Sequence, residues 1–140
     1  MADQMKIIFV DDEPNVLRGI RRMLHTMEDE WDIEFVTGGQ RALERMAEKE
    51  FDVLVTDMRM PDMDGSQLLE AVIKKYPSTI RLVLSGQSRE EVIFRTVGPA
   101  HQFLSKPCDS NVLKNTINSS LSLRKMLKSA RVLRIASRID

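Results

Sequence analysis

Short unbroken apolar runs alternate along the chain with longer stretches whose apolar residues recur every three to four positions. Lys6-Ile7-Ile8-Phe9-Val10 lacks the polar alternation of a half-exposed strand, so it predicts a strand covered on both faces, stopping at Asp11-Asp12. Pro14 suits the first turn of a helix, and Val16, Leu17, Ile20, Met23, Leu24 and Met27 carry its apolar stripe. Ile33–Val36 predicts a second strand, punctuated by Gly38-Gly39 before a helix with Ala42, Leu43, Met46 and Ala47 inward. Val53-Leu54-Val55-Thr56 predicts a third strand that runs straight into Asp57. A loop rich in Pro, Asp and Gly follows, then a helix with Leu68, Leu69, Val72 and Ile73 on its buried side. Ile80–Leu84 predicts a fourth strand ending at Ser85-Gly86. Ser88 opens a weaker helix that Gly98-Pro99 ends, and Gln102-Phe103-Leu104 predicts a fifth strand before Lys106-Pro107. Asp109 begins a last helix with no stop signal before the chain ends.

Five strands alternating with five helices predict right-handed crossovers and an α/β fold: a five-stranded parallel sheet with helices on both faces. Ligands of such sheets bind beyond the carboxyl ends of the strands. The polar residues at those ends are Asp11, Asp12 and Glu13, then Asp57, Ser85 and Lys106. With strand order 2-1-3-4-5, the first and third strands are neighbours and three aspartates meet on one rim. Carboxylates crowded together repel, and a hard divalent cation such as Mg²⁺ relieves them while leaving room for phosphate oxygens. Lys106 then offers a charge, and Ser85 a hydroxyl, to a phosphoryl group, and phosphoryl transfer needs mainly positioning and charge neutralisation. Each residue alone has a plainer use: Asp12 or Glu13 as a helix cap, Asp57 as a loop acid, Ser85 as a turn residue, and Lys106 in a solvated loop. The ordered set favours the chemistry.

Composition narrows the field. The 140 residues are 42% hydrophobic and carry 21 basic and 21 acidic side chains. That describes one compact domain and gives no overall charge with which to hold nucleic acid or a membrane surface. A single cysteine, Cys108, excludes a disulfide scaffold and a multi-cysteine zinc site, and no apolar run is long enough for a membrane span. The expected setting is a cytoplasmic, reducing compartment. The charge is unevenly placed: residues 106–140 hold eight basic against two acidic residues, leaving the preceding part net acidic.

The strings Val10-Asp11-Asp12-Glu13-Pro14, Thr56-Asp57-Met58-Arg59-Met60-Pro61-Asp62-Met63-Asp64-Gly65, Leu84-Ser85-Gly86 and Phe103-Leu104-Ser105-Lys106-Pro107 together resemble the receiver domain of two-component response regulators, over residues 5–125. The resemblance implies a flavodoxin-like, CheY-like fold whose Asp57 accepts a phosphoryl group from a histidine kinase or phosphotransfer protein. It implies Mg²⁺ held by Asp11, Asp12, Asp57 and the main-chain carbonyl of Arg59, with Ser85, Phe103 and Lys106 as the phosphoryl-binding and switch residues. It also implies a signalling module rather than an enzyme, acting on an output domain or downstream protein. Met58-Arg59-Met60-Pro61 and Lys106-Pro107-Cys108-Asp109 look like receivers joined to HD-type output domains. Pro99-Ala100 stands where the family has Gly-Ala, and the stretch from Ser85 to Lys106 is about one residue short, which makes the fourth helix the least secure element.

Two other functions compete. A phosphohydrolase of the haloacid dehalogenase type needs a D-x-D-x-T/V string after the first strand, and Asp11-Asp12-Glu13-Pro14-Asn15 breaks it at the third and fifth positions. A pseudo-receiver would bind partners without phosphorylation, against which the complete acidic set argues. The receiver domain is expected over residues 1–125, with 126–140 a helical extension. Leu123, Met126, Leu127, Ala130 and Leu133 form one face of that extension, while Arg124, Lys128, Arg131 and Arg138 lie on another, read as a solvated basic side. The apolar face suits a connector or a homodimer seam, as does the surface of the fourth helix, fifth strand and fifth helix. No helix-turn-helix fits after residue 110, so direct DNA binding is not expected.

Overall fold

The computed structural model describes residues 4–85, 102–105 and 109–139. The most apolar runs of the sequence occupy the middle of its sheet. These are β1 (Met5–Val10), β3 (Val53–Asp57) and β4 (Ile80–Ser85), flanked by β2 (Trp31–Val36) and β5 (Gln102–Ser105) at the edges. All pairings are parallel, in the order β2-β1-β3-β4-β5, as the sequence predicts. Side chains of one strand alternate between two cores. Ile7 and Phe9 enter a cluster with Leu17, Ile20, Leu113 and Ile117, while Ile8 and Val10 enter another with Ala42, Met46, Leu68 and Val72. The first cluster lies under α1 (Pro14–Met23) and the final helix, α4 (Ser110–Ile139). The second lies under α2 (Gly39–Glu48) and α3 (Gly65–Lys75). Each fully buried Leu or Ile contributes about 1.5–3 kcal/mol relative to an exposed position.

Several local expectations are corrected. The first helix stops at Met23, and a 3-10 turn (His25–Met27) replaces its predicted last turn. The Leu24 amide still bonds back to the Ile20 carbonyl, and Leu24 and Met27 still reach the core. Pro14 opens α1 as predicted, but neither Asp12 nor Glu13 caps it: Glu13 holds the cap position without a side-chain bond. Ile73 is 39% exposed, because it sits about 90° around α3 from the middle of the buried Gly65, Leu68, Leu69 and Val72 stripe. Arg124, read from sequence as part of a solvated face, is 2% exposed. The predicted fourth helix lies outside the described residues.

The β2 edge is guarded by charge. Lys49 Nζ lies 2.6 Å from Asp32 Oδ2 and 2.7 Å from Glu34 Oε2, and Arg45 Nε donates to Glu34 Oε1 at 2.6 Å. Burial acts to raise the Glu34 carboxyl, but the bonds from Arg45 and Lys49 outweigh it and hold the group below its ordinary range. The bond to Asp32, followed by that to Glu34, raises Lys49. Inward-clamped charges of this kind discourage pairing of the edge with another strand.

Candidate functional site: an acidic rim at the ends of β1 and β3

Where β1 ends, the Asp11 amide donates to the Val36 carbonyl at 3.2 Å, which keeps the chain in register with β2 for one more residue. The Asp11 carboxylate then turns back, its Oδ1 accepting the Glu13 amide at 3.0 Å, and the chain bends into α1. This local bond leaves Asp11 nearly buried at 3% exposure, while Asp12 stays partly exposed on the rim. Asp57 is the last residue of β3, opposite Leu84 of β4, and is 9% exposed. Its Oδ1 accepts the Met58 amide at 2.9 Å, which holds the carboxylate at the strand end.

The loop after Asp57 is folded back by a second set of bonds. The Gly65 amide donates to the Met58 carbonyl at 2.8 Å. Asp64 caps α3 with its Oδ1 accepting the Gln67 amide at 2.8 Å, and Gln67 Oε1 accepts the Asp64 amide at 3.0 Å. This reciprocal capping box satisfies two orphan donors of the helix start. Gly65 is required by proximity: a Cβ there would stand 2.6 Å from the Asp57 carbonyl oxygen and 2.9 Å from Met58 Cα. On the other side, Gly38 adopts φ of +111°, a conformation that disfavours other residues, as the chain enters α2.

Asp11, Asp12 and Asp57 each offer an oxygen within 4.8 Å of the others. The convergence predicted from strand order is therefore present. A set of carboxylate oxygens alone, at this spacing, suits a hard cation with oxygen preference and not a soft metal seeking sulfur or imidazole. Arg59 lies two residues beyond Asp57 with an exposed side chain. Ser85 is the final residue of β4, one past the partner of Asp57, and its main chain is in register with Ser105. Phe103 lies in β5 opposite Val83. Lys106 lies outside the described residues. The Asp64–Gln67 box was not read from the sequence, although an Asp three residues before Gln was a visible signal for it.

Residues 7–118 match the family model described as the response regulator receiver domain. Among curated proteins, the chain is 35% identical over 114 residues to the two-component response regulator ORR21 of Oryza sativa. That match covers 79% of this chain and 16% of the relative. It is 30% identical over 122 residues to the response regulator protein PilR of Pseudomonas aeruginosa, covering 86% of this chain and 27% of the relative. The chain thus spans well under a third of the length of either protein. Among solved structures, the signal receiver domain of an HD domain-containing protein from Pseudomonas fluorescens superposes with a TM-score of 0.83 at 25% identity. That superposition covers 92% of this chain and 95% of the other.

Proposed function

The chain belongs to the response regulator receiver domains, the phosphorylation-controlled signalling modules of two-component systems, and from that membership we propose that Asp57 is its phosphoacceptor. The observation that carries this reading is the meeting of Asp11, Asp12 and Asp57 within 4.8 Å at the carboxyl ends of adjacent strands. The Met58 amide, bonded to one of its oxygens, fixes the Asp57 carboxylate at the strand end.

In the proposed reaction, a carboxylate oxygen of Asp57 forms a bond to the phosphorus of a phosphohistidine on a kinase or phosphotransfer protein. The phosphorus–nitrogen bond breaks, and its electron pair returns to the imidazole nitrogen, which takes up a proton. The donor set fits Mg²⁺, with Asp11, Asp12, Asp57 and the Arg59 main-chain carbonyl as the groups that would hold it. Bound Mg²⁺ would neutralise charge on the phosphoryl oxygens. Asp11 contributes by burial and by its bond to Glu13, which hold its carboxylate at the turn before any ligand arrives. Lys106 and the Ser85 hydroxyl are proposed to bind the remaining phosphoryl oxygens, and Phe103 to follow Ser85 as the readout on the surface around β5. Residues 1–125 would form the receiver and 126–140 its helical extension toward an output domain or a second copy. No helix among the described residues is long and apolar enough to cross a membrane.

Acetyl phosphate with Mg²⁺ tests the reading. One acid-stable, base-labile phosphoryl group per chain is expected, and Asp57→Asn should abolish it. Equal labelling of the variant would overturn the assignment, and steady turnover of external phosphate esters would favour a phosphohydrolase instead.

A further inference from the structure

Arg124 of α4 is 2% exposed, yet it is a charged side chain far from the acidic rim. Its Nη1 donates to the Phe51 carbonyl at 2.8 Å and lies 2.9 Å from Asp52 Oδ1, and its Nη2 meets Glu50 Oε1 at 2.5 Å. All three acceptors belong to the consecutive residues 50–52 that lead into β3. Asp52 is itself woven into the sheet: its Oδ2 accepts the Lys6 amide at 2.8 Å. Its own amide donates to the Lys6 carbonyl, and its carbonyl accepts from Ile80. One guanidinium therefore ties the last helix to the point where β1, β3 and β4 begin.

Stability is a poor reason for this arrangement. Taking a guanidinium out of water costs more than an ordinary buried pair returns, and apolar replacements of buried pairs are often neutral. Arg124 Nε is buried with no hydrogen-bond partner among the described residues, which adds to the cost. What a planar fork provides and an apolar contact does not is direction, because several acceptors must be met at fixed angles. Before Arg124, α4 is already seated by Leu113 and Ile117, both fully buried. After it, Lys125 and Met126 are exposed, Met126 at 67%. Fifteen residues of helix follow to Ile139, about 22 Å at 1.5 Å per residue.

We propose that Arg124 is a positioning residue which, by gripping residues 50–52, sets the angle at which the helix beyond it leaves the sheet. The grip lies at the start of β3, and Asp57 at its end. The helix is thus delivered at the end of the sheet remote from the acidic rim, and a partner at Asp57 need not displace it. This holds whether or not Asp57 is phosphorylated, so its test is separate from that of the proposed function.

Paired spin labels on Glu44→Cys and Arg138→Cys, in a Cys108→Ser background, read the angle as a distance distribution. A second pair on Glu44→Cys and Glu70→Cys serves as a control within the body of the domain. With Arg124 present, a single narrow distribution is expected for the first pair. Arg124→Met should at least double its width while leaving the control pair unchanged, and Arg124→Lys, which keeps the charge but not the planar fork of fixed donor directions, should fall between. Asp52→Asn, which turns an amide group toward the guanidinium, should broaden the same distribution. Combined with Arg124→Met, it should add nothing further. A width unchanged in Arg124→Met would overturn the proposal, since α4 would then be aimed by Leu113 and Ile117 alone. If Arg124→Met does not fold, Asp52→Asn decides, and a narrow distribution there overturns the proposal equally.

Discussion

Gly65 lies against Asp57 so closely that any side chain on it would collide with the main chain at the end of β3: the nearest atom to its missing Cβ is the Asp57 carbonyl oxygen, at 2.6 Å. The start of α3 and the end of β3 are thereby locked together, with the Gly65 amide bonded to the Met58 carbonyl. Because both obstructing atoms are backbone, neither can move aside by a rotamer change. Gly65→Ala should therefore shift the strand end itself. The expected outcome is a loss of about 1–3 kcal/mol in a urea melt, the usual cost of overpacking, with labelling by acetyl phosphate slowed at least tenfold. Wild-type stability and labelling rate would show that the loop absorbs the methyl group.

Asp12 makes no cap bond to α1 and sits beside two other carboxylates. Asp12→Ala should weaken Mg²⁺ binding at least tenfold, about 1.4 kcal/mol, and leave the metal-free domain as stable as before or more so. Titration calorimetry and thermal melts without metal measure the two effects. A large loss of metal-free stability would mean that Asp12 supports the turn into α1.

Beryllofluoride, a mimic of the phosphoryl group, should alter hydrogen exchange in residues 86–104 if the surface around β5 carries the switch. Ser85→Ala should blunt that change while Asp57 still accepts phosphate. Unchanged exchange across residues 86–104 with the mimic bound would send the readout to another surface.

The edge cluster of Glu34, Arg45 and Lys49 predicts a pH dependence. Glu34 is held below its ordinary value of 4.5, so its contribution is present above that value and disappears as pH falls through the lower, folded-state range. Lys49 is raised from 10.5, so its contribution is present below that value and disappears as pH rises through the raised range. The stability difference between wild type and Glu34→Gln should be flat from about pH 6 to 9 and shrink below about pH 4. Partly exposed pairs of this kind contribute at most about 1 kcal/mol. A difference that grows in acid would contradict the sign.

Much of the fold and the meeting of three acids in the candidate site were legible in the chain. Val53–Thr56 is apolar at every position but the last and then meets Asp57, and Lys6–Val10 is apolar at every position but the first and then meets Asp11-Asp12. Neither run holds an acid before its end, so the first acid after it marks both the strand end and the rim. Right-handed crossovers account for the parallel sheet with helices on both faces, and the strand order 2-1-3-4-5 brings Asp11, Asp12 and Asp57 together. The capping box at Asp64 and Gln67 is equally local and could have been read the same way.

Arg124 could not. Helical periodicity says which residues share a side of α4, and it groups Arg124 with Arg131 and Arg138. Whether that side meets water or protein depends on what stands opposite, and the acceptors at Glu50, Phe51 and Asp52 are more than 70 residues away in sequence. Ile73 errs in the other direction, apolar by type but placed by the packing of α3 on the sheet where little covers it. Sequence by itself determined the apolar strand runs, where β1 and β3 end and the acids at those ends, because burial of a strand is a property of consecutive residues. Only the tertiary structure decided which charge is buried and which helix is gripped, because a buried guanidinium finds its acceptors only where two distant segments meet with matched geometry.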